Sequence, residues 1–187
     1  MRNGRRLKGH RGAVGLAIAW SILLVLAPIA TAPASAQSAF GCNTPASQRP
    51  GEVGCYFTAS EALGALGQGP VFWHLYNYPT RSDAEAAKGA HGTVIESFGK
   101  VWLCMIAEES WRPAGGERVA VIGPLMINSG KQYTARYMEA VFTPGMTSRA
   151  IHRHSGPEAW YVLAGAQCLE TPEGIIVARA GEGAVVP

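Results

Sequence analysis

After residue 36, turn residues recur at such short intervals that only short strands and one short helix fit between them. The 187-residue chain contains 23 Gly and 12 Pro. Glycine tolerates positive φ and proline fixes φ, so both punctuate a chain into turns. The runs between them are rich in aromatic and β-branched residues. They are GPVFWHLYNY at 69–78, the pair 92–98 and 101–107 around Gly99-Lys100, VAVIGPLMI at 119–127, ARYMEAVFTPG at 135–145, and IIVARAG after the turn Thr171-Pro172-Glu173-Gly174. The pair around Gly99-Lys100 predicts a hairpin. In 135–145, Tyr137, Glu139 and Val141 alternate with Met138, Ala140 and Phe142, so the two sets take opposite faces of a strand. One stretch reads as helix: AEAAK after Thr80-Arg81-Ser82-Asp83, with Thr80 or Ser82 as N-cap and Gly89 as terminator. Strands this short and this frequent predict a mainly all-β fold, a sandwich or a barrel.

The first 36 residues are expected to lie outside that fold. Arg2, Arg5, Arg6, Lys8 and Arg11 precede an apolar run from Ala13 to Ala27, and Ala34-Ser35-Ala36 fits the small-residue cleavage pattern of an export signal. Cleavage is expected after Ala36, which sends the mature chain to the periplasm or the extracellular space. The uninterrupted apolar run is shorter than the roughly 20 residues that span a bilayer, so no stable membrane span is expected after cleavage. Five of the 16 basic residues leave with the signal, so 11 remain against 13 acidic ones, a net charge of about −2. That balance gives no basic patch to suggest nucleic acid.

Four cysteines remain, and an oxidising compartment permits disulfides. Cys42 and Cys55 flank NTPASQRPGEVG, a segment with no other reason to be ordered. A bridge there would close a loop of about 14 residues and stabilise by roughly 3 kcal/mol in the chain-entropy account. Cys104 and Cys168 sit in strand-like runs and read as buried small apolar residues. No C-x-x-C pair suggests a zinc ribbon or a thioredoxin-type site.

Residues 145–165, GMTSRAIHRHSGPEAWYVLAG, carry the chemistry. On a strand, His152 and His154 point the same way and Arg153 points the opposite way. After the turn Ser155-Gly156-Pro157, Glu158 can swing beside the two imidazoles. Two imidazoles and a carboxylate suit a divalent transition metal such as Fe, Mn, Zn, Ni or Cu, with coordination positions left open. The competing readings are plainer. The histidines would be surface residues of an edge strand, Glu158 would pair with Arg149 or Arg153, and Trp160 and Tyr161 would be core aromatics. Elsewhere, His74 reads as a packed strand residue, His91 as a solvated loop residue, and Glu108 and Glu109 as a solvated loop end.

The spacing Gly145-x6-His152-x-His154-x3-Glu158-x6-Gly165 resembles the first motif of the cupin superfamily, departing by one residue in its first gap. Gly181-x5-Pro187 matches the opening of the second motif, whose later histidine and asparagine have no counterpart in this sequence. The resemblance covers roughly residues 119–187. It implies a jelly-roll β-barrel, incomplete at its C-terminus. His152, His154 and Glu158 become metal ligands, and Gly145, Gly165 and Gly181 turn glycines. Residues 37–118 become an N-terminal α+β extension that packs on this partial cupin domain. Cupins include oxygenases, isomerases and plain binding proteins, so the resemblance leaves several expectations open. One is a metal-dependent oxygenase- or isomerase-type enzyme on a small molecule. The others are a non-catalytic small-molecule binding or sensor module, and a non-functional truncated product. A homodimer is also compatible with the family. No general acid or base with the expected position accompanies the ligands; Glu139 and Tyr161 are the nearest in sequence. Intact mass with and without reductant should show one bridge and two free thiols, and four free thiols would remove the Cys42–Cys55 pairing.

Overall fold

The computed structural model describes residues 42–147 and 153–186. The expected export signal lies outside them, and so does His152. The described chain is mainly β, with a single α-helix. In chain order the elements are a 3-10 turn at Ala46–Gln48, β1 at Gly54–Ala65, β2 at Val71–Tyr78, α1 at Arg81–Ala87, β3 at Gly92–Ser97 and β4 at Lys100–Ala107. They continue with β5 at Glu117–Leu125, β6 at Gln132–Val141, β7 at Glu158–Tyr161, β8 at Ala166–Thr171, β9 at Gly174–Arg179 and β10 at Gly183–Val186. Among the described residues no helix is long and apolar enough to cross a membrane.

Four strands form one antiparallel sheet in the order β3-β4-β2-β5, and the rest pair two by two as β1–β6, β7–β10 and β8–β9. The ladders do not close into a barrel among the described residues. Strand β2 sits inside the larger sheet, and its two faces supply two separate cores. Leu75 packs with Ile95, Trp102, Cys104 and Ile122, and Tyr137 of β6 joins from across the layer. Ala159 and Tyr161 of β7 and Val185 of β10 pack on the same cluster. On the opposite face Tyr76 and Tyr78 pack with Val94, Leu103 and Ala84 of α1. A strand covered on both sides must be apolar or aromatic at most positions, which explains VFWHLYNY, where only His74 and Asn77 depart.

Local chemistry sets the element ends. Thr80 caps α1, its hydroxyl accepting from the Asp83 amide at 3.1 Å, which satisfies one of the amides a helix start leaves over. Gly92, just past the helix, lies so close to Lys88 that an added Cβ would sit 2.1 Å from the Lys88 carbonyl oxygen. Strand β3 therefore follows α1 only with glycine there. The β3–β4 hairpin turns through Phe98 and Gly99, at φ 52° and 69°, with Ser97 and Lys100 as the last pair. Two positive φ values define the mirror-image turn that matches strand twist. The turn is one residue earlier than the Gly99-Lys100 connection expected from sequence.

The expected division at 118/119 falls inside β5, and β5 pairs along its length with β2 of the N-terminal portion. That portion holds β1 to β4 and α1, an α+β content. Cys104 is buried as expected, but Cys168 is exposed, which corrects the buried reading. It pairs with Val177 on the outward face of the β8–β9 hairpin, where Ile175 and Val177 are also exposed. Alternation gave Cys168 a face, but no layer covers that face.

Leu103 is fully buried at the centre of the second core. Replacing a buried Leu with Ala removes transfer energy and leaves a cavity, at a cost of about 2–5 kcal/mol. Leu103→Ala should lower the unfolding free energy by that amount, read by urea denaturation as a lower midpoint with an unchanged slope.

Candidate functional site

The chain enters the site from a loop that lies against β6. Gly156 approaches the Tyr133 ring, whose Cε1 would be 3.7 Å from an added Cβ. Glu158 then opens β7, pairing with Val186 at the end of the β7–β10 ladder. The ladder is held at the edge of the core by a close approach: a Cβ on Gly183 would fall 2.5 Å from Cδ1 of Ile122. Beyond Tyr161 three backbone hydrogen bonds stitch the loops together, Val162 N to Glu182 O at 3.0 Å, Gly181 N to Val162 O at 2.9 Å and Ala180 N to Gly165 O at 2.9 Å. These bonds make the β8–β9 hairpin a continuation of the β7–β10 ribbon. Gly165 and Gly181 stand at that junction with φ of 71° and 87°, and Gly145, in the turn after β6, has φ 77°. All three adopt the left-handed conformation that a side chain disfavours.

Within this frame Glu158 and His154 meet. The Nε2 of His154 lies 3.1 Å from Oε2 of Glu158, with both side chains about two-fifths exposed (41% and 36%). Among the described residues the polar partner of Glu158 is His154 rather than Arg153, and Arg149 is outside them. Since Ala159 and Tyr161 pack on the core, alternation turns Glu158 and Trp160 to the other face of β7. The His–Glu pair thus stands at the surface of the ribbon, beside Trp160, whose indole N–H is buried and makes no hydrogen bond to another protein group. Donors bound at about 2.0–2.2 Å to one ion can be this far apart, so the pair fits two positions of a metal site. Among the described residues, no three of His, Cys, Asp and Glu stand close enough to hold a metal ion. The third expected ligand, His152, is outside them.

Among the described residues, two grooves that are not lined by His154 or Glu158 lie elsewhere on the surface. One of about 520 Å³ separates the facing edges of β5 and β10, along Val119–Gly123 and Gly183–Val185. The other, of about 380 Å³, lies between α1 and the loop at Ala114–Gly116, floored by Tyr78. The Tyr78 hydroxyl donates to the Ala114 and Gly115 carbonyls at 2.9 and 3.1 Å, and burial raises its pKa.

Sequence reasoning missed a buried ionic group. Glu139, only 5% exposed, faces the interior of β6 with Tyr137. It accepts hydrogen bonds from Arg49 and from the Ser97 hydroxyl. The alternation in 135–145 already set Glu139 on the face of Tyr137, and a carboxylate on a core-facing parity was the available signal. Arg49, 90 positions away, left no signal. The group has no imidazole to activate Ser97, so it does not form a nucleophile relay. Arg49 also lies over the Tyr56 ring at 5.5 Å. The bridge Cys42–Cys55, with Cα atoms 4.9 Å apart, closes the segment that carries Arg49. The Thr93 and Tyr137 hydroxyls are also buried, and neither has a normal hydrogen bond. Burial raises the Tyr137 pKa and pushes the Cys104 thiol up to about 12, opposed by a contact from Trp73.

His74, His91 and the Glu108-Glu109 pair are placed as their plain readings require. His91, Glu108 and Glu109 are exposed. His74 is completely buried, and its Nε2 lies 2.9 Å from the Glu108 carbonyl oxygen. A carbonyl can only accept, so Nε2 carries the proton and Nδ1 is left without a protein partner.

Comparison with known proteins finds no matching family model, no matching curated protein and no matching solved structure. The class that fold and site define is an all-β protein with a surface His–Glu pair.

Burial pushes the His74 pKa below its ordinary 6.5, against the opposing pull of the Glu108 carbonyl. The unfolded chain therefore takes up a proton near pH 6.5 while the folded chain does so only at lower pH, and stability is lost as pH falls through that window. The melting temperature should drop between pH 7 and pH 5, and His74→Gln should flatten that slope. An equal slope in the variant would show that His74 is not the group responsible.

Proposed function

We propose that this chain is an exported, cupin-like protein that binds one divalent transition metal through His152, His154 and Glu158. The observation that carries the reading is the 3.1 Å approach of His154 Nε2 to Glu158 Oε2, two donors of the types and spacing such an ion takes. His152, two positions before His154 in the sequence, would supply the third donor. The leader-like residues 1–36 support export, and the all-β fold is compatible with a cupin architecture. A metal bound there would polarise a carbonyl or bind a small molecule at its open positions. The chain's own residues would then bind and orient that ligand, with Trp160 offering a flat apolar wall on the same face of β7.

A second reading, a non-catalytic binding or sensor module on the same metal, draws support from the exposure of the pair. Neither groove includes His154 or Glu158. A half-exposed site excludes water poorly, and water exclusion is what lets a site stabilise developing charge.

Elemental analysis of the purified mature protein should show bound transition metal, most of it lost in His152→Ala and in Glu158→Gln. Unchanged metal content in both variants would sink the site. If metal is bound and no turnover appears with small hydroxylated or carbonyl substrates, the binding-module reading stands in place of the enzyme.

A further inference from the structure

We propose that the disulfide-closed segment 42–55 is a redox-operated cover over the Glu139 end of the space between the two layers. The segment contributes no residue to either buried cluster, and from Ser47 to Val53 every residue is exposed. Its ionic contact is Arg49, which reaches in to the nearly buried carboxylate of Glu139. The rest of its attachment is to the start of β1, at the buried Tyr56 and through a β-bridge from Pro45 to Phe57. Phe57 N donates to Thr44 O at 2.9 Å, and the Tyr56 hydroxyl contacts Gly51 O and Val53 O at 2.8 and 3.0 Å. Arg136 Nη2 donates to Asn43 Oδ1 at 2.9 Å. Chain connectivity at Cys55 and the bridge back to Cys42 pin both ends of the segment. Breaking the bridge opens that closed loop and gives it far more freedom.

Beneath the cover the interior is polar in an unusual way. The Thr93 and Tyr137 hydroxyls lie more than nine-tenths buried with no hydrogen-bond partner in the protein. Cys104 lies beside them on β4, paired with Thr93. Ser97 and Glu139 stand at the covered end, and Thr93, Tyr137 and Cys104 lie further along β3, β6 and β4, past Ile95. Once Arg49 withdraws, an unpaired carboxylate is left where burial is costly, so hydration of Glu139 favours the open state.

The chemistry balances with a dithiol as the reducing partner. Its two thiols give two electrons and two protons to the Cys42–Cys55 bond, the S–S bond breaks, two thiols form on the chain, and the donor becomes a disulfide. Reoxidation reverses each term. The dithiol need only reach the bridge at the cover's base, because Cys104 is too buried and too weakly acidic to compete as the exchanging thiol.

Hydrogen exchange of the full chain, oxidised and then reduced with a dithiol, tests the idea. Reduction should speed exchange at 43–53 and 138–140 by about tenfold or more, with β2 and β4 unchanged, as local opening requires. Unchanged exchange at 43–53, or an equal rise across β2 and β4, would overturn it, since the bridge would then be either idle or a general staple. In a Cys42→Ser/Cys55→Ser variant, maleimide should label Cys104 about tenfold faster than in the oxidised protein, with exposed Cys168 unchanged as the internal reference. Arg49→Met, with the bridge intact, should raise exchange at 138–140 without releasing 43–46. A Cys104 that stays unreactive in the double variant would refute the claim that this segment closes the interior.

Discussion

Everything else in the fold is arranged around the double burial of β2. Its odd-numbered side chains, Trp73 and Leu75, belong to one core, while Tyr76 and Tyr78 belong to the other. A central strand buried on both faces needs a layer on each side. The β1–β6 and β7–β10 ladders supply one layer, and α1 with Trp111 supplies the second. Each buried large apolar side chain is worth roughly 1.5–3 kcal/mol of transfer energy, so both layers are held by the same eight-residue segment. Two polar side chains interrupt that strand, His74 and Asn77, and the edge-on contact of the buried His74 ring with Trp111 at 5.3 Å explains how an aromatic polar ring is accommodated there.

Strand and helix identity were legible because they depend on local chemistry. The Thr80 cap and the turn around Gly99 each carried their own signal and lie within a residue of expectation. Strand β6, in contrast, begins three residues before the run read at 135–145 and ends four before its end, and β1, whose mixed pattern carries no strand signal, was not expected. Facing was harder. Alternation separates Cys168 from Leu169, yet it does not say which face another layer covers, and Cys168 proved exposed. Long-range ionic pairing was not legible at all. Nothing near Arg49 announces Glu139, and nothing near Ser97 announces that its hydroxyl will meet a carboxylate of β6.

The candidate metal site shows the same division. The spacing brought His154 and Glu158 into one argument, and the structure sets their polar atoms side by side. What spacing did not convey is the direction they face. Tyr161 and Ala159 take the core side of β7, so the pair looks outward past Trp160. A site on the outer face of a short ribbon depends on the stitching at Val162, Gly165 and Gly181 for its rigidity, because only four residue pairs join β7 to β10.

The pairing of β1 with β6 has a consequence for how the molecule is reached from its unfolded chain. Gly54 pairs with Val141, 87 positions along the sequence, while β3 and β4 meet across a two-residue turn. Closing a long loop costs entropy before any contact repays it. The β3–β4 hairpin and its additions β2 and β5 can therefore assemble from near neighbours, and β1 must wait with one strand edge and its apolar face uncovered until β6 arrives. During that interval the nascent chain presents the kind of unpaired edge that other chains can extend. The order of assembly, more than the strength of any finished contact, sets where this protein is vulnerable to association with its own copies.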